Sequence, residues 1–532
     1  MLMLIAALSL QASCSVTVIE GRVETPTAVH EALAIEGGVI AAVGAAGDMP
    51  EVPAGCTVVL PEDQTVFPGL TDAHVHLSGV GLRQMMLNLD DARSLSDLQA
   101  ALARRAIAQP AGPIIGRGWI ETGWPEGRPP NRQDIDDVVA DRPVILTRAD
   151  GHALVANTAA LEASGITRRT RAPEGGRIVK DRSGRPNGYL IDAAMELVDG
   201  LVPPLTEDRR RDALRTGAQT YAALGWTSVH NMSVEEAELD LMAELAAAGE
   251  LPLRVTNFVV QDAMDRVIAE GPGCDPTGLV CTLGVKFYAD GALGSRGALL
   301  KEPYTDDPQT RGLRLMSRPD AMTAYRKAAR AGLQITTHAI GDQANLDVLD
   351  WYAEIREEFP GATLRVEHAQ IVDPEDLGRF ADAGVIASMQ PSHAIGDLHF
   401  ADQRLGLERL KGAYAWNSLA DEGTLIVFGS DAPVEKGDPR IELYAATTRR
   451  DLSGYSGEGW HPEEALTRAE TLALFTITPE LAIGRGGSLG TLAPGFAADL
   501  SIFRGDPFDG PDAARAVATV IGGQVVSGSL GD

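Results

Sequence analysis

Residues 67–77 read FPGLTDAHVHL, an apolar run that ends in two histidines. The run predicts a buried strand, and the alternation of side chains along a strand places His74 and His76 on the same face. Two imidazoles on one face can hold a metal ion, because the neutral ring is a common metal ligand. The alternative is a half-exposed strand with two polar side chains. The metal hypothesis therefore needs support from later parts of the chain.

Length and charge limit the class of protein. The chain has 532 residues, with 46 Lys and Arg against 74 Asp and Glu, which gives a formal net charge of −28. Such a length suits a large barrel with a smaller additional domain. The acidic balance argues against nucleic acid or an anionic membrane surface as a partner, because phosphate contacts need clustered cations. A homo-oligomer is compatible with the sequence.

Residues 1–14, MLMLIAALSLQASC, form a short apolar run that ends in small residues before Cys14. This pattern is similar to a bacterial lipoprotein export signal in which Cys14 is the lipidated residue. It predicts an exported protein, periplasmic or tethered to the membrane through a lipid on Cys14. The alternatives are an ordinary first strand or a misplaced start. Without a signal in residues 1–14, a cytoplasmic protein is expected.

Cys274 and Cys281 flank the turn sequence DPTG. A tight turn can bring two flanking cysteines opposite each other across a hairpin, and a disulfide would then form in an oxidising compartment. Two buried free thiols are the alternative.

The two ends of the chain share one composition. Residues 15–64 and 484–532 are rich in Val, Ile, Gly and Ala, with turn residues at short intervals. This pattern predicts short antiparallel strands. Neither end has enough strands to close a core alone, so we predict that both ends together build one small β-sandwich.

Between the ends, strands alternate with amphipathic helices. Eight strands joined by helical crossovers predict a closed parallel (β/α)8 TIM-like barrel over residues 65–483. An open doubly wound sheet is the alternative, but no Gly-rich phosphate turn follows the first strand. The predicted strands span residues 66–73, 227–230, 253–259, 284–288, 334–337, 364–367, 385–389 and 425–429.

A long insertion separates the first two predicted barrel strands. It runs from about residue 109 to 204 and contains its own strand patterns, PIIGRGW and PVILTRAD. It leaves the carboxyl end of the first strand, which is the face where barrel active sites lie. We therefore predict a cap over the site.

Several side chains with metal-binding chemistry lie on the barrel strands or at their carboxyl ends. These ends converge in a closed barrel, so residues far apart in sequence become neighbours. Imidazoles together with a carboxylate suit Zn²⁺ or a related metal. Taken singly, each residue also has an ordinary structural role, such as a core histidine or a helix cap. The predicted ligands are His74, His76, Lys286, His338, His368 and Asp431.

Lys286 is unusual in this set because it lies inside an apolar strand, GVKFYADG. A buried ammonium group carries a large desolvation cost unless it is neutralised or paired. Reaction with CO₂ would convert the amine into an anionic carbamate that can bridge two cations. A salt bridge to Asp290 or Asp431 is the alternative.

The order of these residues resembles the amidohydrolase superfamily. His-x-His lies on strand one, Lys on strand four, His on strands five and six, and Asp on strand eight. Longer segments are similar to its YtcJ-like branch, which includes N-substituted formamide deformylase, and the resemblance covers nearly the whole chain. These segments are GWPEGRPPNRQDID, LTRADGHALVANTAAL, FYADGALGSRGALL, THAIGDQAN and SMQPSHAIGD.

The resemblance implies a metal-dependent hydrolase of a C–N amide-type bond in a small N-acyl or N-formyl substrate. One or two metal ions would activate a water, and Asp431 would act as general base and then acid. A cyclic amide or ester hydrolase on the same site is one alternative. A catalytically silent binding or scaffold protein is another.

Four further residues are candidates for the reaction. His393 follows the seventh strand and can donate to the substrate carbonyl. His152 and Arg148 lie in the predicted cap, and Arg296 follows the fourth strand. For each of the four, a structural or surface hydrogen bond is the alternative, because polar groups in loops are commonly solvated or capping.

Overall fold

The computed structural model describes residues 14–53, 55–149, 151–173 and 175–530, so residues 1–13 of the predicted signal lie outside it. The chain forms two compact units. The first contains residues 1–79 and 217–532, and the second contains residues 80–216. No described helix combines the length and the apolarity that a bilayer span requires.

The two chain ends form one continuous sheet in the first unit. The strand Gln64–Pro68 pairs antiparallel with Leu500–Arg504 and parallel with Val16–Glu24, so it joins the two ends directly. Val, Ile and Leu side chains from both ends share one core. The strands are Val16–Glu24, Val29–Glu36, Val39–Gly44, Thr57–Val59, Gln64–Pro68, Leu500–Arg504, Arg515–Ile521 and Gln524–Gly528.

This sheet rolls back on itself. Its edge strand Val39–Gly44 meets the segment before Leu500 at an antiparallel bridge between Val39 and Ala497. The Ile40 amide donates to the Phe496 carbonyl at 2.8 Å. The structure is consistent with the predicted small β domain from both chain ends, whose described strands form one hydrogen-bonded sheet around a shared core.

The centre of the first unit is a parallel barrel, which confirms the predicted fold class. Each strand pairs with the next in parallel register along the order β8-β7-β6-β5-β4-β3-β2-β1. Most strand residues are buried, as expected for strands with helices outside and side chains inside. The strands are β1 (Leu70–Val75), β2 (Trp226–Val234), β3 (Arg254–Val260), β4 (Val280–Tyr288), β5 (Gln334–Ala339), β6 (Leu364–His368), β7 (Val385–Met389) and β8 (Ile426–Phe428).

The barrel closes between β1 and β8 through a short seam. A parallel bridge joins Val75 to Ala432. The carboxylate of Asp72 on β1 accepts hydrogen bonds from the Ser430 amide at 2.9 Å and from the Tyr221 hydroxyl at 3.0 Å. The Asp431 amide donates to the His74 carbonyl at 2.7 Å. Two predicted ligands therefore lie directly on the seam.

Helices connect the barrel strands in the predicted alternating pattern. Several begin with an N-capping side chain, for example Ser317 and Asp438. The α-helices of this unit after β2 are Glu236–Ala247, Met264–Glu270, Arg318–Arg330, Asp342–Glu358, Gly378–Asp382, Pro391–Asp397, Ala401–Leu405, Trp416–Asp421, Pro439–Thr448, Arg468–Leu474 and Ile477–Ala482. Leu77–Met85 and Glu207–Leu224 cross the boundary between the units.

The second unit has its own six-stranded sheet and its own apolar core, in which Trp119 and Trp124 are buried. It begins at Val80, well before the predicted insertion boundary at residue 109, because the helix Leu95–Ala108 packs with this sheet. The strands are Leu87–Asn88, Ile114–Trp119, Val144–Arg148, Ala153–Ala156, Gly176–Lys180 and Pro186–Asp192, and the other helices are Arg132–Asp136 and Thr158–Ala163.

All four cysteines of the sequence are paired. Cys274 and Cys281 form the hairpin disulfide that the turn between them predicts, so the free-thiol alternative is not realised. Cys14 is bonded to Cys56. The sequence prediction assigned Cys14 to a lipid. One sulphur atom cannot carry both a disulfide and a lipid thioether, so the structure and that prediction disagree at this residue.

Candidate metal centre

The six predicted ligands lie in one cavity of the first unit. His74 lies one residue before the end of β1 and His76 just beyond it. Lys286 is on β4, His338 lies one residue before the end of β5, and His368 ends β6. Asp431 follows β8. All six line a cavity of about 310 Å³ at the carboxyl ends of the strands. The convergence that the strand pattern predicts is therefore present.

The distances in this cavity suit a metal ion. One Asp431 oxygen lies 3.2 Å from His76 Nε2 and 3.5 Å from His74 Nε2. Single atoms of His74, His368 and Asp431 all lie within 4.8 Å of one another. The His338 and His368 rings are 4.4 Å apart between centroids. A metal has bonds of about 2 Å to such ligands, so one ion placed among them could bind several of these atoms.

The backbone is bent at two of these positions. His368 has a φ of 76° and Asp431 a φ of 60°, both in the left-handed region that side chains other than glycine rarely adopt. Such conformations cost free energy, so they persist only where the surrounding structure enforces them, commonly at functional sites. His368 is the last residue of β6, and Asp431 follows β8. At both positions the bend directs the side chain into the cavity.

Three of the histidines are oriented by acceptors behind them. His74 Nδ1 lies 2.6 Å from a Glu367 carboxylate oxygen, and His368 Nδ1 lies 2.9 Å from Gln390 Oε1. His76 Nδ1 lies 3.1 Å from the Met232 carbonyl. An acceptor behind Nδ1 places the proton there, so Nε2 is left with a free lone pair for a metal.

Several buried polar atoms that face the cavity have no geometrically good hydrogen bond within the described residues. Buried atoms without a hydrogen bond are rare in proteins and need an explanation. Here several occur together, and their chemistry is that of metal ligands, so the residues fit a bound cation. These atoms are His74 Nε2, Lys286 Nζ, His338 Nε2, His393 Nε2 and Asp431 Oδ1.

The electrostatics keep these groups in states that can bind a metal. Burial, followed by the charge of Lys286, lowers the pKa of His74 to about 4. Burial also lowers the pKa of His368 well below its usual value. For Asp431, His74 and the His76 hydrogen bond outweigh burial and lower the pKa. At neutral pH His74 and His368 are therefore neutral and Asp431 is an anion.

Lys286 is almost fully buried, at 1 % exposure, and its amine has no hydrogen-bond partner among the described residues. Burial lowers its pKa to about 8. The alternative salt bridge to Asp290 is not formed, because the Asp290 carboxylate accepts hydrogen bonds from the backbone amides of Leu299, Ile340 and Gly341. No salt bridge to Asp431 is formed within the described part of the chain either.

A buried charge network behind His74 was missed in the sequence. Glu367 accepts from His74, from the Thr336 hydroxyl and from Arg365, whose Nε lies 2.6 Å from a Glu367 oxygen. Arg365 also contacts His230 Nδ1 at 2.9 Å. The signal in the sequence was the pair of charged residues inside the apolar strand LRVEH, where Arg365 and Glu367 alternate and so share a face.

His393 lies where the sequence predicted, in the cavity after β7. Its Nδ1 accepts from the Gln370 side-chain amide at 2.9 Å, so a neutral ring carries its proton on Nε2. Nε2 lies 3.5 Å from Asp431 Oδ2. His393 therefore presents a donor beside the predicted base.

The other predicted substrate contacts each pair with an acidic side chain. Arg296 pairs with Asp306 at 2.8 Å and is not among the residues that line the cavity. In the second unit, Arg148 pairs with Glu121 at 2.8 Å. His152, also in that unit, lies 3.1 Å from Asp192. The roles predicted for Arg296, His152 and Arg148 stay predictions.

Side chains that could hold a metal, at the carboxyl ends of a (β/α)8 barrel joined to a sheet from both chain ends, are an arrangement typical of metal-dependent hydrolases. Comparison with known families agrees: residues 62–527 match the Amidohydrolase family. The chain belongs to this family.

Three individual proteins show how much of the chain the similarity covers. The chain is 35 % identical over 477 residues to the putative amidohydrolase YtcJ of Bacillus subtilis, covering 87 % of this chain and 88 % of the relative. It is 28 % identical over 512 residues to N-substituted formamide deformylase of Arthrobacter pascens, covering 92 % of each. The crystal structure of an uncharacterized metal-dependent hydrolase from Pyrococcus furiosus superposes with a TM-score of 0.74 at 27 % identity, covering 93 % of this chain and all of that one. The predicted resemblance is confirmed.

Proposed function

We propose that this protein is a metal-dependent hydrolase of a C–N amide-type bond in a small N-acyl or N-formyl compound. The observation that carries the proposal is the group of buried, unpartnered ligand atoms around Asp431. A silent scaffold would have no need to keep such atoms buried and unsatisfied, because each costs about 1–3 kcal/mol.

The residues that would hold the metal are His74, His76, Lys286, His338, His368 and Asp431, with Zn²⁺ as the proposed ion and one or two ions per chain. When bound, a divalent cation supplies Lewis acidity and lowers the pKa of water. Burial lowers the pKa of Lys286 to about 8, which raises the fraction of neutral amine, the form that reacts with CO₂. We therefore also propose a carbamate on Lys286.

Asp431 and His393 would divide the proton chemistry. Asp431 is anionic at neutral pH, so it can accept a proton from the attacking water and return it to the departing amine. That return is necessary because an amide anion is a poor leaving group. His393 Nε2–H, 3.5 Å from Asp431, would donate to the substrate carbonyl oxygen as negative charge develops there.

The choice of an amide substrate draws on the relatives, one of which is named a formamide deformylase. A cyclic amide or an ester could use the same ligands and the same base. A panel of N-formyl amines, N-acyl amines, cyclic amides and esters, run with elemental analysis, tests this choice. We expect about one or two equivalents of Zn²⁺, and amide turnover that chelation abolishes.

The variant Asp431→Asn separates catalysis from folding. It keeps the shape of the side chain but removes the base, so we expect kcat to fall by about 10²–10⁴-fold. The exposed variant Glu51→Gln removes the same charge elsewhere and should keep full activity. Metal-free protein with unchanged turnover, or full activity in Asp431→Asn, would contradict the proposed function.

We also propose that the protein is exported to an oxidising compartment. The support is that its cysteines pair as Cys14–Cys56 and Cys274–Cys281, and such bonds persist mainly outside the reducing cytosol. On this proposal Cys14 carries a disulfide and no lipid. Intact mass spectrometry of protein from native cells is the test, since a diacylglyceryl adduct on Cys14 or free thiols at all four positions would contradict it.

A further inference from the structure

The cavity contains two carboxylates that the proposed reaction does not use. Asp397 ends the helix Pro391–Asp397, and Glu435 lies in the loop after β8, four residues beyond Asp431. Both line the same cavity as the predicted metal ligands. We refer to this pair as the acidic wall.

Among the described residues, neither carboxylate of the acidic wall forms an ion pair with Lys or Arg. The charge of the adjacent Lys436 acts on Glu435 only from beyond ion-pair distance. Asp397 accepts a hydrogen bond from the Tyr414 hydroxyl at 2.7 Å. Glu435 has His393 Nε2 as its nearest basic atom, at 4.0 Å. Burial raises the pKa of Asp397 to about 7 and that of Glu435 to about 8. Ionising this wall is therefore costly unless a cation enters the cavity.

A second observation also points to a ligand. The His393 side chain is 9 % exposed, and its Nε2 has no hydrogen-bond partner among the described residues. This atom lies 3.5 Å from Asp431 and 4.0 Å from Glu435. It therefore stands between the predicted base and the acidic wall, where a bound molecule spanning both would meet it.

The geometry distinguishes an organic cation from a second metal. Within the described residues, His74, His368 and Asp431 are the one set of His, Cys, Asp or Glu close enough to share an ion, and the acidic wall forms no such set. The cavity also has apolar lining from Leu293, Ile340 and Val434. An aliphatic chain suits that lining, and its ammonium end suits the carboxylates.

We propose that the acidic wall binds a protonated amine, so that the substrate is an N-acyl or N-formyl amine carrying a second, cationic amino group on a short aliphatic spacer. The assignment to a substrate rests on the proposed function. The binding of the cation does not.

The first experiment measures binding without turnover. Pentylammonium and 1-pentanol have the same aliphatic chain and differ in charge, and each is titrated into the metal-loaded protein by calorimetry. We expect pentylammonium to bind at least about tenfold more tightly, as a charged hydrogen bond in a partly buried site would give. Glu435→Gln and Asp397→Asn should each remove most of that preference, while Glu51→Gln should keep it. Thermal melting shows whether each variant is folded. If one variant is not folded, the binding preference of the other variant decides the test.

Equal binding of the two probes, or an unchanged preference in both variants, would overturn the proposal. Loss of one metal equivalent in Glu435→Gln would overturn it in favour of a metal site.

The second experiment compares N-formyl-1,4-diaminobutane with N-formylpentylamine. We expect kcat/KM to favour the cationic compound by about tenfold or more, mainly through KM, and Glu435→Gln to bring the two together. Turnover of neither compound, with the ammonium preference in binding retained, would count against the proposed function and leave the acidic wall standing. Equal turnover of both would overturn the assignment of the acidic wall to the substrate.

Discussion

Replacing Glu367 by Gln tests whether the network behind His74 acts on the metal site or only on the fold. One Glu367 oxygen accepts from His74 Nδ1 at 2.6 Å and from Arg365 Nη2 at 3.1 Å. The other accepts from the Thr336 hydroxyl and lies 2.6 Å from Arg365 Nε in an ion pair. A glutamine side chain offers one oxygen and one NH₂ group. Whichever way it turns, the NH₂ group must face a donor.

The magnitude follows from burial. Glu367 is fully buried, and Arg365 is 1 % exposed. Breaking a buried ion pair on one side costs about 3–5 kcal/mol, because the remaining charge stays desolvated. Arg365 keeps hydrogen bonds to Ser388 and His230, so we expect the lower value, about 3 kcal/mol. Loss of the carboxylate behind a ligating imidazole weakens metal affinity by about 10–100-fold.

Two measurements separate these effects. Denaturant unfolding of chelator-treated protein gives the loss of stability without metal, and competition with a chromophoric chelator gives the metal Kd. Glu464→Gln is the matched control. Glu464 is buried, but it accepts hydrogen bonds from Asn417 and Ser418 and from none of the predicted ligands. This control should lose stability and keep its metal Kd. If Glu367→Gln loses stability while its metal Kd stays within twofold of wild type, the network only supports the fold.

Three further predictions test other parts of the structure. Protein loaded with metal in CO₂-free buffer should regain activity on addition of bicarbonate. A sample prepared with ¹³C-bicarbonate should show a carbamate NMR resonance that the Lys286→Met variant lacks. Activity that does not depend on bicarbonate would refute the carbamate. Burial raises the pKa of Glu480 to about 7. Between about pH 4.5 and 7 the folded protein therefore binds more protons than the unfolded chain, so the free energy of unfolding falls as pH rises through this range. Glu480→Gln should therefore be more stable than wild type at pH 8, by at most about 3 kcal/mol, and no more stable at pH 4, as measured by urea unfolding. Reducing Cys14–Cys56, which closes a loop with a sequence separation of 42, should lower the free energy of unfolding by about 4 kcal/mol, and Cys14→Ser with Cys56→Ser should behave like the reduced protein.

Much of the barrel could be predicted because its strands carry a strong local signal. The predicted strand 385–389 has the same bounds as β7, and the predicted 364–367 differs from β6 by one residue. Parallel strands in a barrel align their carboxyl ends, so a histidine or aspartate there could be placed without coordinates. Lys286 could be singled out because a lysine in an apolar strand is costly to bury.

Other features depend on pairing over long distances. The sequence predicts that Glu367 lies on a strand. It does not predict which face of that strand points into the barrel, because the neighbouring strands set that orientation. The helix Leu95–Ala108 follows β1 and has the amphipathic pattern of an ordinary barrel helix, so it was not recognised as part of the second unit. The partner of Cys14 could not be inferred either, because Cys56 carries no local signal.

The seam between the first and last strands also sets the order of events during synthesis. The hydrogen bond from Ser430 to Asp72 spans 358 residues. At about 5–20 residues per second, a ribosome makes the second half of this contact roughly 20–70 s after the first. Until then His74 and His76 have neither Asp431 opposite them nor a closed barrel around them. On the proposed function, a cation can therefore reach its final coordination only after residue 431 has been made.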